Sequence, residues 1–234
     1  MIKSAVLCFM IFIYFKIYAD DLKNIVIYSD EDIPYVTVNK EGVIDGGLAT
    51  EVMYKVLNKL KLPKSTIENV PWARAYFNAT TKPNVIIYPI VKTTERLEKL
   101  DFIIKILDST VFLYKLKSRT DIIIKNLDEA KKHRICAVRD DYRADYLKAN
   151  NFEDIDLATN STLNVKKFIE GRCDLIISTE IGIQNKLKSL KYEFNLIESI
   201  FPLKNLDSAL YAAINKNTSK EIKDKIKIAA ESIK

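Results

Sequence analysis

From residue 20 onward, short apolar runs alternate with segments whose apolar residues recur at helical spacing. The first series predicts strands at 24–29, 66–70 and 85–88 and helices at 47–61, 72–78 and 94–99. A second series predicts strands at 111–116, 135–138, 155–158 and 175–177 and helices at 142–149, 162–170 and 180–189, followed by a strand at 209–214 and a C-terminal helix. Two successive βαβαβ series predict an α/β protein with two similar lobes, because one large sheet would not restart the pattern.

The first nineteen residues have the pattern of a secretory signal peptide. Lys3 precedes an uninterrupted apolar run at 5–15, and Lys16 ends that run shortly before Ala19. The run is about half of the roughly 20 residues that a membrane-spanning helix needs. We therefore expect cleavage after Ala19 and a periplasmic protein, with an uncleaved anchor as the alternative.

Composition and motifs exclude several classes of function. The 234 residues are 48% hydrophobic with a net charge of +6, so disorder is excluded and a sizeable core is expected. The basic cluster at 131–134 is interpreted as a solvated helix end, so no nucleic acid partner is expected. His133 is the only histidine, and metal, P-loop and hydrolase motifs are absent from the sequence. We expect no enzyme activity, no catalytic residue, no metal and no cofactor.

Two cysteines follow the predicted signal peptide. Cys136 and Cys173 each adjoin a short apolar run, and export would permit a disulfide between them. Two separate buried thiols are an equally ordinary arrangement. The sequence leaves both alternatives open, because the geometry of the pair decides between them.

The candidate ligand-binding residues of the first lobe lie just after its predicted strands, where parallel strands direct their carboxyl ends at a crevice. Arg74 and Arg96 fall in first helical turns, where a cation opposes the helix dipole. Each could bind a carboxylate in bidentate fashion, or lie on the surface paired with a neighbour such as Glu95 or Glu98. The aromatic candidates, which could pack a ligand or belong to the core, are Tyr35, Trp72 and Tyr88.

Helix N-caps account for some of the remaining polar residues. Asp140 and Asp141 follow the strand at 135–138, and capping the next helix is their simplest role. If Asp141 faces the crevice instead, it would attract an amine. Thr218, with Glu221 three residues later, predicts a capping box at the start of the C-terminal helix.

Several segments resemble the extracellular solute-binding proteins of bacterial ABC transporters, in the family-3 group that includes polar amino acid binders. The segments are Ile33-Pro34-Tyr35, Gly42 to Gly47, Thr93 to Arg96 with Leu100 to Phe102, Gly171 to Ile177, and the P-W-x-R-A subset motif at 71–75. The resemblance implies a type II two-lobed periplasmic binding protein fold, in which each lobe is a βαβαβ-based sheet flanked by helices. It places lobe 1 at 20–110 and 204–234 and lobe 2 at 111–203, joined by a two-crossing hinge.

By this resemblance, the protein is a monomer that captures a small carboxylate-bearing or zwitterionic solute between closing lobes and delivers it to an ABC permease. Arg96 matches the arginine that binds the α-carboxylate in amino acid binders. Other positions depart from the family pattern: Tyr88, Pro89 and Val91 replace small or hydroxyl residues, and Thr179 replaces the acid that binds the α-amino group.

The second-lobe candidates for ligand contact are Asp141, Tyr142, Thr179 and Glu180. Two alternatives of the same fold stay open. One is a sensory or interaction module, and the other is an enzyme similar to cyclohexadienyl dehydratase, with Glu180 or Asp141 as the acid/base group.

Overall fold

The computed structural model describes residues 22–233, so the predicted signal peptide at 1–19 lies outside the described residues. These residues divide into two compact units: unit 1 comprises residues up to Leu107 together with those from Leu210 onward, and unit 2 is Asp108–Ala209. The chain therefore passes from one unit to the other twice. Within residues 22–233, no helix has the length and apolar character needed to cross a membrane.

Unit 1 is a mixed sheet with flanking helices. Its strands are β1 (Val26–Ser29), β2 (Thr37–Val38), β3 (Ile44–Gly46), β4 (Ile67–Asn69), β5 (Val85–Val91), β6 (Leu100–Leu107) and β12 (Leu210–Asn215). Its helices are α1 (Leu48–Leu60), α2 (Trp72–Thr81), α3 (Thr94–Lys99) and α8 (Lys220–Glu231). Five strands form the sheet in the order β4-β1-β5-β12-β6, and β2 and β3 form a separate hairpin.

The centre of unit 1 is β5, whose sequence VIIYPIV is buried except at Pro89. Such a continuous apolar run suits a strand with both faces covered. β1 pairs with β5 in parallel, starting at Val26 opposite Val85. β12 runs antiparallel to both β5 and β6. The carboxyl ends of β1 and β5 therefore lie at one edge of the sheet, where helix α2 begins.

Unit 2 contains the second five-stranded sheet, in the order β11-β7-β10-β8-β9. Its strands are β7 (Val111–Leu116), β8 (Ile135–Val138), β9 (Ile155–Ala158), β10 (Leu175–Thr179) and β11 (Ile197–Pro202). Its helices are α4 (Leu127–Ala130), α5 (Tyr142–Ala149), α6 (Ser161–Ile169) and α7 (Glu180–Ser189). Strand β10 joins two cores, because Leu175 and Ile177 pack on one side of the sheet and Ile176 on the other.

The structure settles the question of the cysteines. Cys136 and Cys173 form a disulfide with a Cα–Cα distance of 5.6 Å. Cys136 lies in β8, and Cys173 directly precedes Asp174 and the parallel neighbour strand β10. The bond therefore covalently joins two strands that already pair by hydrogen bonds.

The predicted α/β class is confirmed, and the capping box of the last helix is wrong. Helix α8 begins after Ser219, whose side chain accepts a hydrogen bond from the backbone N–H of Ile222. The hydroxyl of Thr218 instead accepts a hydrogen bond from the backbone N–H of Asn84, at 2.8 Å. The Thr218 hydroxyl, which the local pattern predicts as the helix cap, therefore binds the distant backbone N–H of Asn84 instead.

Candidate functional site

A concave pocket of about 220 Å³ lies at the edge of unit 1 where β1 and β5 end. It is smaller than the roughly 300–1,000 Å³ typical of drug-sized sites, and so suits a small solute or one part of it. Three consecutive acidic residues supply negative charge to the pocket, and one tryptophan supplies an aromatic surface. The residues that line it are Asp30, Glu31, Asp32, Trp72, Tyr88 and Pro89.

Asp30 connects the two sides of this pocket. Its Oδ2 accepts a hydrogen bond from the backbone N–H of Trp72 at 2.9 Å, and its Oδ1 accepts one from that of Glu31 at 2.9 Å. The negative charge also lies at the N-terminal end of α2, which the helix dipole favours. Asp30 thus fixes the start of α2 and the position of Trp72.

Arg96 lies on α3, which begins at the N-cap Thr93. Its Nη1 donates a hydrogen bond to the carbonyl of Val91 at 2.7 Å. Its guanidinium carbon lies 5.9 Å from the ring centroid of Trp72 and 5.8 Å from that of Tyr76. These two rings are stacked, with centroids 6.2 Å apart and planes 20° apart. The rings and the carbonyl hold the guanidinium beside the pocket wall.

No carboxylate within the described residues forms an ion pair with Arg96, so the alternative pairing with Glu95 or Glu98 does not form. Arg74 is exposed on the first turn of α2. Trp72 is 37% exposed, which leaves part of its ring available to a ligand. Of the three first-lobe residues Arg96, Arg74 and Trp72, the structure brings Arg96 and Trp72 into contact distance.

Tyr88 and Tyr35 belong to the core of unit 1. The Tyr88 side chain is fully buried, and its hydroxyl lies 3.0 Å from the hydroxyl oxygen of Thr50. Burial raises the pKa of Tyr88 well above its usual range. Tyr35 is also buried, and its carbonyl accepts a hydrogen bond from the backbone N–H of Ala49. Tyr88 also lines the pocket, whereas the residues that line it do not include Tyr35.

In unit 2, Asp141 acts as the N-cap of α5. Its Oδ1 accepts hydrogen bonds from the backbone N–H of Arg143 at 2.8 Å and from Nε of the same residue at 2.7 Å. Nη2 of Arg143 donates to the other carboxylate oxygen at 2.7 Å. The Arg143 guanidinium carbon lies 5.3 Å from the Tyr142 ring centroid. The chain's own carboxylate and guanidinium thus occupy this helix N-terminus.

Thr179 also has a capping role, since its hydroxyl accepts a hydrogen bond from the backbone N–H of Gly182 at the start of α7. Glu180 is exposed, and Nε2 of Gln184 donates to its carboxylate at 3.3 Å. Neither Glu180 nor the ion-paired Asp141 lies in the apolar enclosure that an acid/base carboxylate needs.

The sequence-based prediction missed the three acids of the unit 1 site, Asp30, Glu31 and Asp32, and the aromatic residue Tyr76. The signal for these acids is three consecutive carboxylates directly after a strand, in the loop that faces the ligand edge of a parallel sheet. Tyr76 lies four positions after Trp72, so the two share one face of α2. Among the described residues, no group of three or more His, Cys, Asp or Glu side chains could hold a metal ion.

Neither the family models nor the curated proteins include a match to this chain. Solved structures do match over most of its length. A histidine kinase sensor domain with similarity to periplasmic binding proteins is 14% identical, with a TM-score of 0.72 over 92% of this chain and 91% of that one.

Two amino acid-binding proteins match to a similar degree. An ancestral arginine-binding protein is 15% identical, with a TM-score of 0.66 over 89% of this chain and 90% of that one. The arginine-, lysine-, histidine-binding protein ArtJ from Geobacillus stearothermophilus is 18% identical, with a TM-score of 0.67 over 89% of this chain and 88% of that one. At these identities the similarity shows the fold, and the chain has a periplasmic binding protein-like fold.

Proposed function

We propose that this protein binds a small zwitterionic solute with a cationic end, such as a basic amino acid, outside the cytoplasmic membrane and delivers it to an ABC permease. The observation that carries the proposal is the unit 1 site. There, a guanidinium with no carboxylate partner among the described residues lies over Trp72, and Trp72 lines a pocket with three carboxylates.

Arg96 would bind the carboxylate of the solute. Its anchored guanidinium has donors left after the single bond to the Val91 carbonyl, and a carboxylate can accept two of them in parallel. Trp72 would pack against the body of the solute. The carboxylate of Glu31, which has no partner within the described residues, would attract the cationic end. The similarity to proteins whose solved structures are described as arginine-binding supports this choice of solute.

A thermal-shift screen tests this function. The purified protein is melted with basic, neutral and acidic amino acids, organic acids and polyamines. At a concentration 100 times its Kd, a solute should stabilise the protein by about 2.7 kcal/mol, which raises Tm by a few degrees. We expect basic amino acids to raise Tm, Arg96→Ala to abolish the shift and Arg172→Ala, an exposed arginine of unit 2, to retain it. Absence of any shift, or a shift that survives Arg96→Ala, contradicts the proposal.

A sensory module is the second candidate function, because the match to a histidine kinase sensor domain covers 92% of this chain with a TM-score of 0.72. The two candidates differ in what happens to residues 1–19. Cell fractionation and N-terminal sequencing of the native protein separate them. A soluble protein that begins near Asp20 favours solute delivery, whereas a membrane-bound protein that retains the segment favours sensing.

A further inference from the structure

A second cation lies close to the anchor of Arg96. Lys92 directly follows Val91, the residue whose carbonyl holds the Arg96 guanidinium. The Lys92 ammonium lies 4.5 Å from the ring centroid of Tyr211 and 5.6 Å from that of Phe102. These two rings meet edge to face, with centroids 5.5 Å apart and planes at 90°. Lys92 and Arg96 thus each lie against a pair of aromatic rings.

The two ring pairs lie on the same side of the unit 1 sheet. Tyr76, beneath Arg96, packs against the apolar cluster that contains Ile90 and the buried alanines of α2. Phe102, beneath Lys92, packs against that same cluster. Both cations therefore belong to the face that α2 covers, near the end of β5.

Lys92 lacks the anionic partner that some other lysines of unit 1 have. Within residues 22–233, it forms no hydrogen bond or ion pair, although it is half-buried. By contrast, the ammonium of Lys223 donates to Asp101 at 2.7 Å and that of Lys225 lies 3.0 Å from Glu221. Ring faces compensate only part of the hydration that a half-buried ammonium loses, and an anion would supply the rest.

We propose that Lys92 is a second anion-binding residue of the solute site, and that the solute carries two anionic groups as well as its cationic end. This inference rests on the proposed function, because it assigns the first anionic group to Arg96. The chemical class is a basic amino acid with an additional carboxylate, as in an N-carboxyalkyl amino acid.

Calorimetric titration with two matched solutes tests the assignment. L-arginine has one carboxylate, and N2-(1-carboxyethyl)-L-arginine adds a second one. We expect the second carboxylate to tighten binding at least tenfold in the wild type, the effect of one further charge-assisted hydrogen bond. Lys92→Met should remove this gain and leave the Kd for L-arginine unchanged, whereas Lys92→Arg should keep it.

Lys64→Met is the matched control, because Lys64 also lies over a tyrosine ring, 3.9 Å from the centroid of Tyr54. It should keep the gain. If L-arginine binds but the second carboxylate brings no gain in the wild type, or the gain survives Lys92→Met, Lys92 only stabilises the ring pair and the inference is wrong. If neither solute binds the wild type, the proposed function fails together with the inference.

Discussion

At the scale of single residues, the site depends on a loop that lies tightly against α1. Gly47 has φ = 105°, and a Cβ added there would lie 2.4 Å from the carbonyl oxygen of Tyr35. The same carbonyl accepts the hydrogen bond from Ala49 that begins the helix. The loop that carries Asp30, Glu31 and Asp32 is therefore held against α1 by backbone contacts that only glycine permits.

We expect Gly47→Ala to destabilise the protein by about 4 kcal/mol or more, because the backbone atoms of Tyr35 and Val36 cannot move away from the new methyl group. Gly42→Ala is the matched control. Gly42 has φ = 79°, but no atom lies within 4 Å of a Cβ added there. This substitution should therefore lower the free energy of unfolding only by the backbone strain, about 1–2 kcal/mol. Urea unfolding of both variants measures the difference, and equal losses would contradict the close contact.

Residue-level roles could be predicted only in part. Arg96 stood out because a cation in a first helical turn is unfavourable, but its contact with the stacked rings depends on where α3 crosses α2. Tyr88 lies in a continuous apolar strand segment, and that pattern does not show whether its ring faces the core or the ligand edge. The structure turns it inward to Thr50, so it supports the pocket from the core.

At the scale of elements, the disulfide joins the two strands that position the unit 2 loops. Cys136 lies within β8, and Cys173 lies two residues before β10, with a sequence separation of 37 residues. The enclosed chain includes α5 and α6, so the bond restricts the unfolded conformations of this segment of unit 2.

We expect the double variant Cys136→Ala/Cys173→Ala to lose about 3–4 kcal/mol of unfolding free energy, because a cross-link that closes a loop of this length restricts the unfolded chain. Urea unfolding of the oxidised wild type, the reduced wild type and the variant measures this loss. Reduced wild type and variant should unfold at nearly the same urea concentration. Two free thiols in the untreated protein, with no effect of reductant, would contradict the bond.

Local patterns predicted some elements of unit 2 at their observed positions. The apolar run at Ile135–Val138 and the segment Tyr142–Ala149 both fall where the sequence places them. Strand β6 was missed, because it follows α3 without a turn signal; it pairs with β12, more than a hundred residues later. Strand β11 was also missed, and its partner β7 lies about eighty residues earlier in the chain. Long-range pairing cannot be deduced from a window of neighbouring residues.

At the scale of the whole molecule, the alternation of strands and helices in two series was predictable, whereas the limits of the two units depend on strand pairing. The predicted limits fall after residues 110 and 203, and the chain divides after Leu107 and Ala209. The difference arises because β6 extends to Leu107 and pairs with Leu210 at the start of β12. These two strands connect the N-terminal and C-terminal segments of unit 1, and so complete the sheet that holds the site.

The proposed function requires Arg96 to bind the carboxylate of a cationic solute, and a comparison of L-arginine with agmatine, its decarboxylated form, is the sharpest test of that role. Calorimetric titration gives the Kd of both compounds for the wild type and for Arg96→Ala. We expect Arg96→Ala to weaken L-arginine by about 10- to 100-fold, the effect of losing a charge-assisted hydrogen-bond pair, and to leave agmatine unchanged. Equal effects on both compounds, or no effect on L-arginine, would contradict the account.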